Sequence, residues 1–235
     1  MNLTELLRYG RAIVPSIVFN FRYLPFKQAI KLPIWVYRMK LLSRKGSVVI
    51  ESENLYTGMI KLGFQNSRVF PNNGIAWSNK GKVVFKGKCS IGNDCYIVVG
   101  KQATLTFGQG FKVNAGLKLT AMCSISFGKQ TWLGWGVVVM DTNHHPLYDM
   151  EKKITKKAFS PIEIGDYNWV ASQCCILHGV RTPERCIFGA RTILSRGAQY
   201  ESYCVHGGNP LQVLSRNVML DYDNAFIEDY SWPQN

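Results

Sequence analysis

Between about residues 85 and 195, aliphatic or aromatic side chains recur every six residues. Ile91 leads to Ile97, and Val113 leads to Leu119 and Ile125. After a slip of two come Phe127, Leu133 and Val139. Beyond a polar stretch, Ile164, Val170 and Ile176 repeat the spacing, and Thr182 and Phe188 continue it. The residue that follows is often tiny, as at Gly92, Gly128, Gly134, Gly165, Ala171 and Gly189. The fifth residue of many units is small or apolar too: Cys95, Leu117, Cys123, Thr131, Val137, Cys174, Val180 and Thr192. This period is neither the 3.6 of a helix nor the strict alternation of a half-buried strand. It predicts short strands with one inward side chain each and a backbone turn directly after it. Three such units close one triangular coil, and stacked coils bury a continuous apolar column. A β-sandwich with strands spaced at sixes is the competing arrangement, but the register holds on both sides of the polar stretch. Phase breaks near residues 104–107 and 125–127 predict bulged coils. Thr182, standing where an aliphatic belongs, predicts a distorted coil at "RTPERC".

The flanks read differently. Residues 1–47 are basic and aromatic, and Pro15, Pro25 and Pro33 argue against one long helix there. Short helical or extended pieces are expected, lying on a membrane interface or simply solvated. The chain therefore divides into an N-terminal extension (1–47), a repeat domain (48–202) and a C-terminal tail (203–235). Within the repeat domain "LYDMEKKITKKAFSP" (147–161) carries no register and predicts an extruded loop. Its four lysines either meet an anionic ligand or are solvated.

Charge sharpens this division. The formal net charge is +13, and nine Lys/Arg precede Gly46 (Arg8, Arg11, Arg22, Lys27, Lys31, Arg38, Lys40, Arg44, Lys45) against Glu5 alone. From Val218 onward the balance reverses, with Asp221, Asp223, Glu228 and Asp229 and no Lys or Arg. A basic, aromatic segment suits an anionic surface, lipid or nucleic acid. No nucleic-acid reading motif accompanies it, so nucleic acid is not an expected partner. The seven cysteines form no CxxC pair and no zinc spacing. They fit reduced thiols of a cytoplasmic protein and no metal site. No apolar stretch near the start approaches the ~20 residues that span a bilayer, and no signal peptide is visible.

Two of the four histidines stand together in "VMDTNHHPLYD" (139–149). Neutral imidazole, with a pKa near ~6.5, suits a general base at cellular pH. A zinc site on the same coil, as in a γ-type carbonic anhydrase, needs three converging histidines, yet His178 and His206 lie far along the chain from His144 and His145.

The repeat [Leu/Ile/Val]-[Gly/Ala]-x-x-[small]-x over roughly 85–195 resembles the hexapeptide-repeat acyltransferases, the left-handed β-helix family. Three further stretches are similar to its sugar O-acetyltransferase branch, in bacterial surface-polysaccharide biosynthesis. "MDTNHHPLYD" resembles the histidine loop, "IEIGDYNWVASQCCILHGV" a coil with Trp before the turn, and "VHGGNPLQVL" the closing Gly-Asn-Pro segment. The resemblance implies an all-β, left-handed parallel β-helix of triangular coils. It implies a homotrimer with acetyl-CoA between neighbouring helices and a small-molecule or lipid-linked saccharide as acceptor. In the family loop the histidine before Pro is the base, which falls on His145. His144 would pack or touch substrate. Asp141, Asn143 and Asn114 would contact the acceptor or fix the imidazole tautomer, although a lone Asp in a turn is also a turn former. Trp169, Ser172, Ala190 and Ser195 match positions lining the CoA arm, with Arg196 or Arg191 near a phosphate. N-acetylation of an amino sugar and a silent glycan- or membrane-binding scaffold remain alternatives. The basic prefix is expected to make peripheral membrane contact.

Overall fold

The structure is a computed structural model that describes residues 3–223, with side chains from residue 9 onward. Glu228 and Asp229 of the acidic tail, and the side chains of Glu5 and Arg8, lie outside the described residues. Strands of two to six residues stack into three parallel sheets that wind as one coil. Sheet 1 begins at Ile34–Val36 and Ile60–Phe64. It continues through Cys89–Asn93, Phe111–Ala115, Trp132–Leu133, Trp169–Val170 and Ile187–Phe188 to Cys204–Gly207, and antiparallel Gln212–Arg216 closes it. Sheet 2 has seven strands, from Met39–Arg44 to Ile193–Leu194, and sheet 3 has five, from Ser47–Ile50 to Ile162–Ile164. This is the parallel β-helix of stacked three-sided coils that the six-residue period predicts, the fold the resemblance implies.

The inward residues form columns in register. In sheet 1 Leu62, Ile91, Val113, Leu133, Val170 and Phe188 lie over one another. In sheet 2 Trp77, Ile97, Leu119, Val139, Ile176 and Leu194 do the same. All are buried in one continuous core, and each fully buried aliphatic contributes about 1.5–3 kcal/mol. A small residue follows because the turns approach closely there. A Cβ on Gly92 would overlap the carbonyl oxygen of Asn114 in the next turn.

The phase slip also has a structural cause. Sheet 3 strands turn two residues inward each, Leu105 with Phe107 and Ile125 with Phe127, so the period of six can be counted from either one. Phe85, Phe107 and Phe127 stack, with centroids 5.4 Å and 5.9 Å apart. Turns there are longer: Ser90 pairs with Lys112, 22 residues on, and Lys112 with Trp132, 20 on. From Trp169 to Ile187 to Val205 each turn takes the bare 18. Thr182 is buried and its hydroxyl accepts the Gly165 N–H (3.1 Å). At that level sheet 3 is reduced to an isolated Glu163–Arg181 bridge.

Residues 1–47 depart from the sequence expectation. Helix α1 (Leu3–Tyr23) runs through Pro15, and α2 (Phe26–Ala29) follows. An interior proline costs a helix about 3 kcal/mol, which docking offsets. Ala12, Ser16, Phe19 and Asn20 are all buried. Ser16 and Asn20 complete the first edge of sheet 1. The Asn20 amide donates to the Ile34 carbonyl (2.6 Å) and accepts the Ile34 N–H (3.1 Å), and the Ser16 hydroxyl accepts the Val36 N–H (2.9 Å). An edge strand that would otherwise template aggregation is covered in this way. Coil strands accordingly start at Ile34, inside the segment read as an extension, and Cys204–Gly207 carries sheet 1 beyond residue 202. No described helix is long and apolar enough to cross a membrane.

Candidate active site

The histidine loop leaves the coil at the corner between sheets 2 and 3, after strand Val138–Met140. Its neck is stitched shut. Thr142 bridges Phe159, Asn143 N–H donates to the Ala158 carbonyl (2.7 Å) and Ser160 N–H to that of Asp141 (3.0 Å). Beyond the neck the chain forms an antiparallel hairpin, Tyr148–Asp149 with Ile154–Thr155, its tip held by Asp149. That carboxylate takes the N–H groups of Glu151 and Lys152 and pairs with Lys156 (3.0 Å). Backbone N–H groups and Lys156 hold the Asp149 pKa below the ordinary carboxylate range.

His144 and His145 stand directly on this neck, both exposed. His144 occupies the left-handed region (φ 59°), and its N–H donates to the Thr142 hydroxyl (2.9 Å). Asn143 is exposed beside the two histidines. Asp141 corrects the sequence expectation. It is completely buried, and its two oxygens accept the Met122 and Cys123 N–H groups, each at 2.7 Å. It pins the neck to the preceding turn and offers nothing to an acceptor.

The other sequence candidates fall on different edges. Ser195 and Arg196 share the edge of the histidine loop. Arg196 lies beside Gly179, on a cavity of about 180 Å³ that Ser160, Pro161 and Arg181 also line. Asn114, Ser172 and Ala190 occupy the corner between sheets 1 and 2, and Trp169 lies on the outer face of sheet 1. The single chain therefore gathers His144, His145, Asn143, Ser195 and Arg196 on one edge but not the whole set. Among the described residues no cluster of three His, Cys, Asp or Glu is placed to hold a metal ion. His206 is buried in the inward column over Phe188.

The outer face of sheet 1 holds a feature that the sequence reading missed. Lys61, Ser90, Lys112, Trp132 and Trp169 are successive partners in one outward ladder. At ~4.8 Å per strand it spans on the order of 19 Å. A groove of about 470 Å³ lies over Lys61, Lys88, Ser90, Lys112 and Asn114, and a second of about 270 Å³ joins it at Lys112 and Asn114 and extends over Trp132 and Trp169. Asn66 braces the floor by donating to Ser90 Oγ (3.1 Å). Lys112 Nζ sits 4.2 Å from the Trp132 ring centre. Burial, and then the charge of Lys88, press its pKa below the ordinary lysine value. The signal was present in the residue before each inward aliphatic: "KLG", "SIG", "KVN", "WLG" and "WVA".

No protein-family model matches the chain. In sequence it is 24% identical over 123 residues to a polysialic acid O-acetyltransferase of Escherichia coli O1:K1 / APEC, a match covering 52% of this chain and 37% of that protein. The match thus spans little more than a third of the relative's length. Solved structures that overlay on it include the polySia-specific acetyltransferase NeuO (TM-score 0.46, 17% identity, 78% of this chain and 88% of that one). The polysialic acid O-acetyltransferase OatWY gives TM-score 0.46 and 19% identity over 80% of this chain and 93% of that one. A maltose O-acetyltransferase from Clostridium difficile 630 gives 0.41 and 13% over 92% and 89%. In its six-residue repeat, its three-sided coil and its sequence match, the chain resembles the hexapeptide-repeat, left-handed β-helix acyltransferases.

Proposed function

We propose that this chain is an acetyl-CoA-dependent O-acetyltransferase that esterifies a hydroxyl of an acidic glycan, with His145 as general base. The observation that carries the reading is the stitched neck that presents His144 and His145 outward from the coil. A rigid mount is what a base needs to meet a hydroxyl within hydrogen-bond reach. The similarity to an O-acetyltransferase of polysialic acid, an acidic polymer, supports the reaction type and the acceptor class. So does the groove of lysines and tryptophans over Asn114, where ammonium groups pair with carboxylates and indoles stack on sugar faces.

In the reaction His145 takes the acceptor hydroxyl proton as the oxygen attacks the thioester carbonyl carbon. Hydrogen-bond donors hold the oxyanion of the tetrahedral intermediate. Collapse breaks the C–S bond, the proton passes to sulfur as free CoA leaves, and the imidazole returns to neutral. Ser172 and Ala190, small residues at the corner between sheets 1 and 2, let an extended donor arm lie close to the backbone, with Trp169 near them on sheet 1, while Ser195 and Arg196 would line the arm from the edge of the histidine loop. Ser172 and Ala190 occupy a different edge from the histidine loop, Ser195 and Arg196, so the reading includes a homotrimer in which edges of neighbours face each other. Seven free cysteines suit a cytoplasmic setting.

The test is transfer of radiolabel from acetyl-CoA to a panel of acidic and neutral oligosaccharides. Label appearing on acidic glycans and released by mild alkali identifies an ester. Alkali-stable label identifies an amide and N-acetylation instead, and no transfer together with no CoA binding identifies a scaffold.

A further inference from the structure

Helix α1 has two apolar faces, and the fold uses one. Ala12, Ser16, Phe19 and Asn20 dock on the coil, while Ile13, Val14, Ile17, Val18 and Phe21 face outward. Val14 is 68% exposed. The strip continues into α2 through the Phe21–Phe26 ring contact (6.0 Å), where Phe26 is 70% exposed and Ile30 55%. Spacings of three, four and seven along α1 place these side chains on one side of the helix. The docked side is fixed by hydrogen bonds to Ile34 and Val36, so the free side cannot roll inward.

The charges around the strip are of one sign. Arg11, Arg22, Lys27 and Lys31 are exposed along α1 and α2, and Lys40, Arg44 and Lys45 on the adjoining strand and turn. The Arg22 guanidinium donates to the Arg44 backbone carbonyl (3.5 Å), which ties the end of α1 to the adjoining strand. Residues 9–45 contain no Asp or Glu. A long apolar strip rimmed by cations matches the acyl boundary and headgroups of an anionic bilayer, into which such helices settle side-on.

We infer that α1 and α2 form a membrane-docking surface that lays the protein flat on an anionic phospholipid bilayer. The surface lies at the first turn of the coil, apart from the histidine loop, and the inference stands without the proposed acetyl transfer. It would bring the protein to where lipid-linked saccharides are presented.

The experiment is co-sedimentation of the full chain with phosphatidylglycerol–phosphatidylcholine vesicles and with vesicles of phosphatidylcholine alone. Binding to the anionic vesicles about tenfold or more tighter, weakened by salt, is the expected result. Val14→Glu with Val18→Glu removes the apolar strip, and Lys27→Glu with Lys31→Glu reverses the rim. All four side chains are exposed, so thermal melting should be unchanged while each pair lowers binding about tenfold or more. A wild-type chain left in the supernatant, or variants that bind as well as it does, would overturn the inference. So would a fall in oligomeric mass of the Val14/Val18 variant by light scattering, which makes the strip an interface between copies.

Discussion

At the residue scale the histidine pair is where function and geometry separate. His144 sits in the left-handed backbone region, and His145 follows it directly before Pro146. His145→Ala should leave the fold and assembly intact and lower turnover by about 10²–10⁴. His144→Ala should cost far less. Steady-state rates at saturating donor measure both, and a reversed order would move the base to His144. The sequence made this pair legible because adjacent imidazoles before a proline are rare in a chain with four. It could not show that Asp141, two residues ahead of Asn143, is spent on two backbone N–H groups, because burial is a property of the neighbouring turn. His206 illustrates the same blindness. It takes a place in the inward column, stacks on Phe188 (5.3 Å) and uses Nε2 to accept the Glu201 N–H (3.1 Å). Burial, against the opposing pull of backbone carbonyls and Glu201, lowers its pKa below the ordinary histidine value. The unfolded chain therefore binds a proton at about pH 6.5 that the folded chain refuses, and stability falls as pH drops below that point. His206→Phe keeps a ring in the column and removes the titration. Denaturant midpoints at neutral and mildly acid pH should fall more for wild type than for the variant.

At the scale of elements, the coil was legible and the first helix was not. A period of six with a tiny residue after each aliphatic is close to a direct statement of geometry, since the Gly92–Asn114 approach forbids a side chain there. The slip of two was equally real, and recorded a turn of 20 residues between Lys112 and Trp132 where the bare repeat takes 18. Pro15, by contrast, was weighed as a local breaker, and the decisive energy was tertiary. Four buried positions spaced along α1, two of them hydrogen-bonded to a strand at least fourteen residues away, outweigh one missing N–H. The competition between a local cost of about 3 kcal/mol and a docking gain can be settled only when the partner is known. Asn20→Leu tests which term wins. It preserves bulk but strips the Ile34 N–H and carbonyl of their partner, at roughly 1–3 kcal/mol for each group left unpaired in the interior. A lower melting temperature and a rise in aggregation from the uncovered edge strand are the expected outcome, read by calorimetry and light scattering.

At the scale of the whole molecule, sheet 1 assembles a surface that no local window contains. Lys61, Ser90, Lys112, Trp132 and Trp169 are separated by 29, 22, 20 and 37 residues in sequence, yet register makes them neighbours. Unequal turn lengths hide this alignment, because the extra residues sit in corners and in the histidine insertion. The basic composition was visible, and the concentration of three lysines over one groove was not. In physical terms the groove divides its labour. The lysine end supplies charge, which is long-ranged and screened by salt, and the tryptophan end supplies contact area, which is neither. If the groove holds an acidic acceptor during transfer, Lys88→Glu together with Lys112→Glu should raise the acceptor KM about tenfold or more at low ionic strength. The turnover number should change little, since neither ammonium group lies on the histidine loop. Added salt should shrink the difference between variant and wild type, and Trp132→Ala should weaken binding without that salt dependence. Initial rates across a salt series measure all three, and a KM that ignores the charge reversal would remove sheet 1 from the acceptor's path.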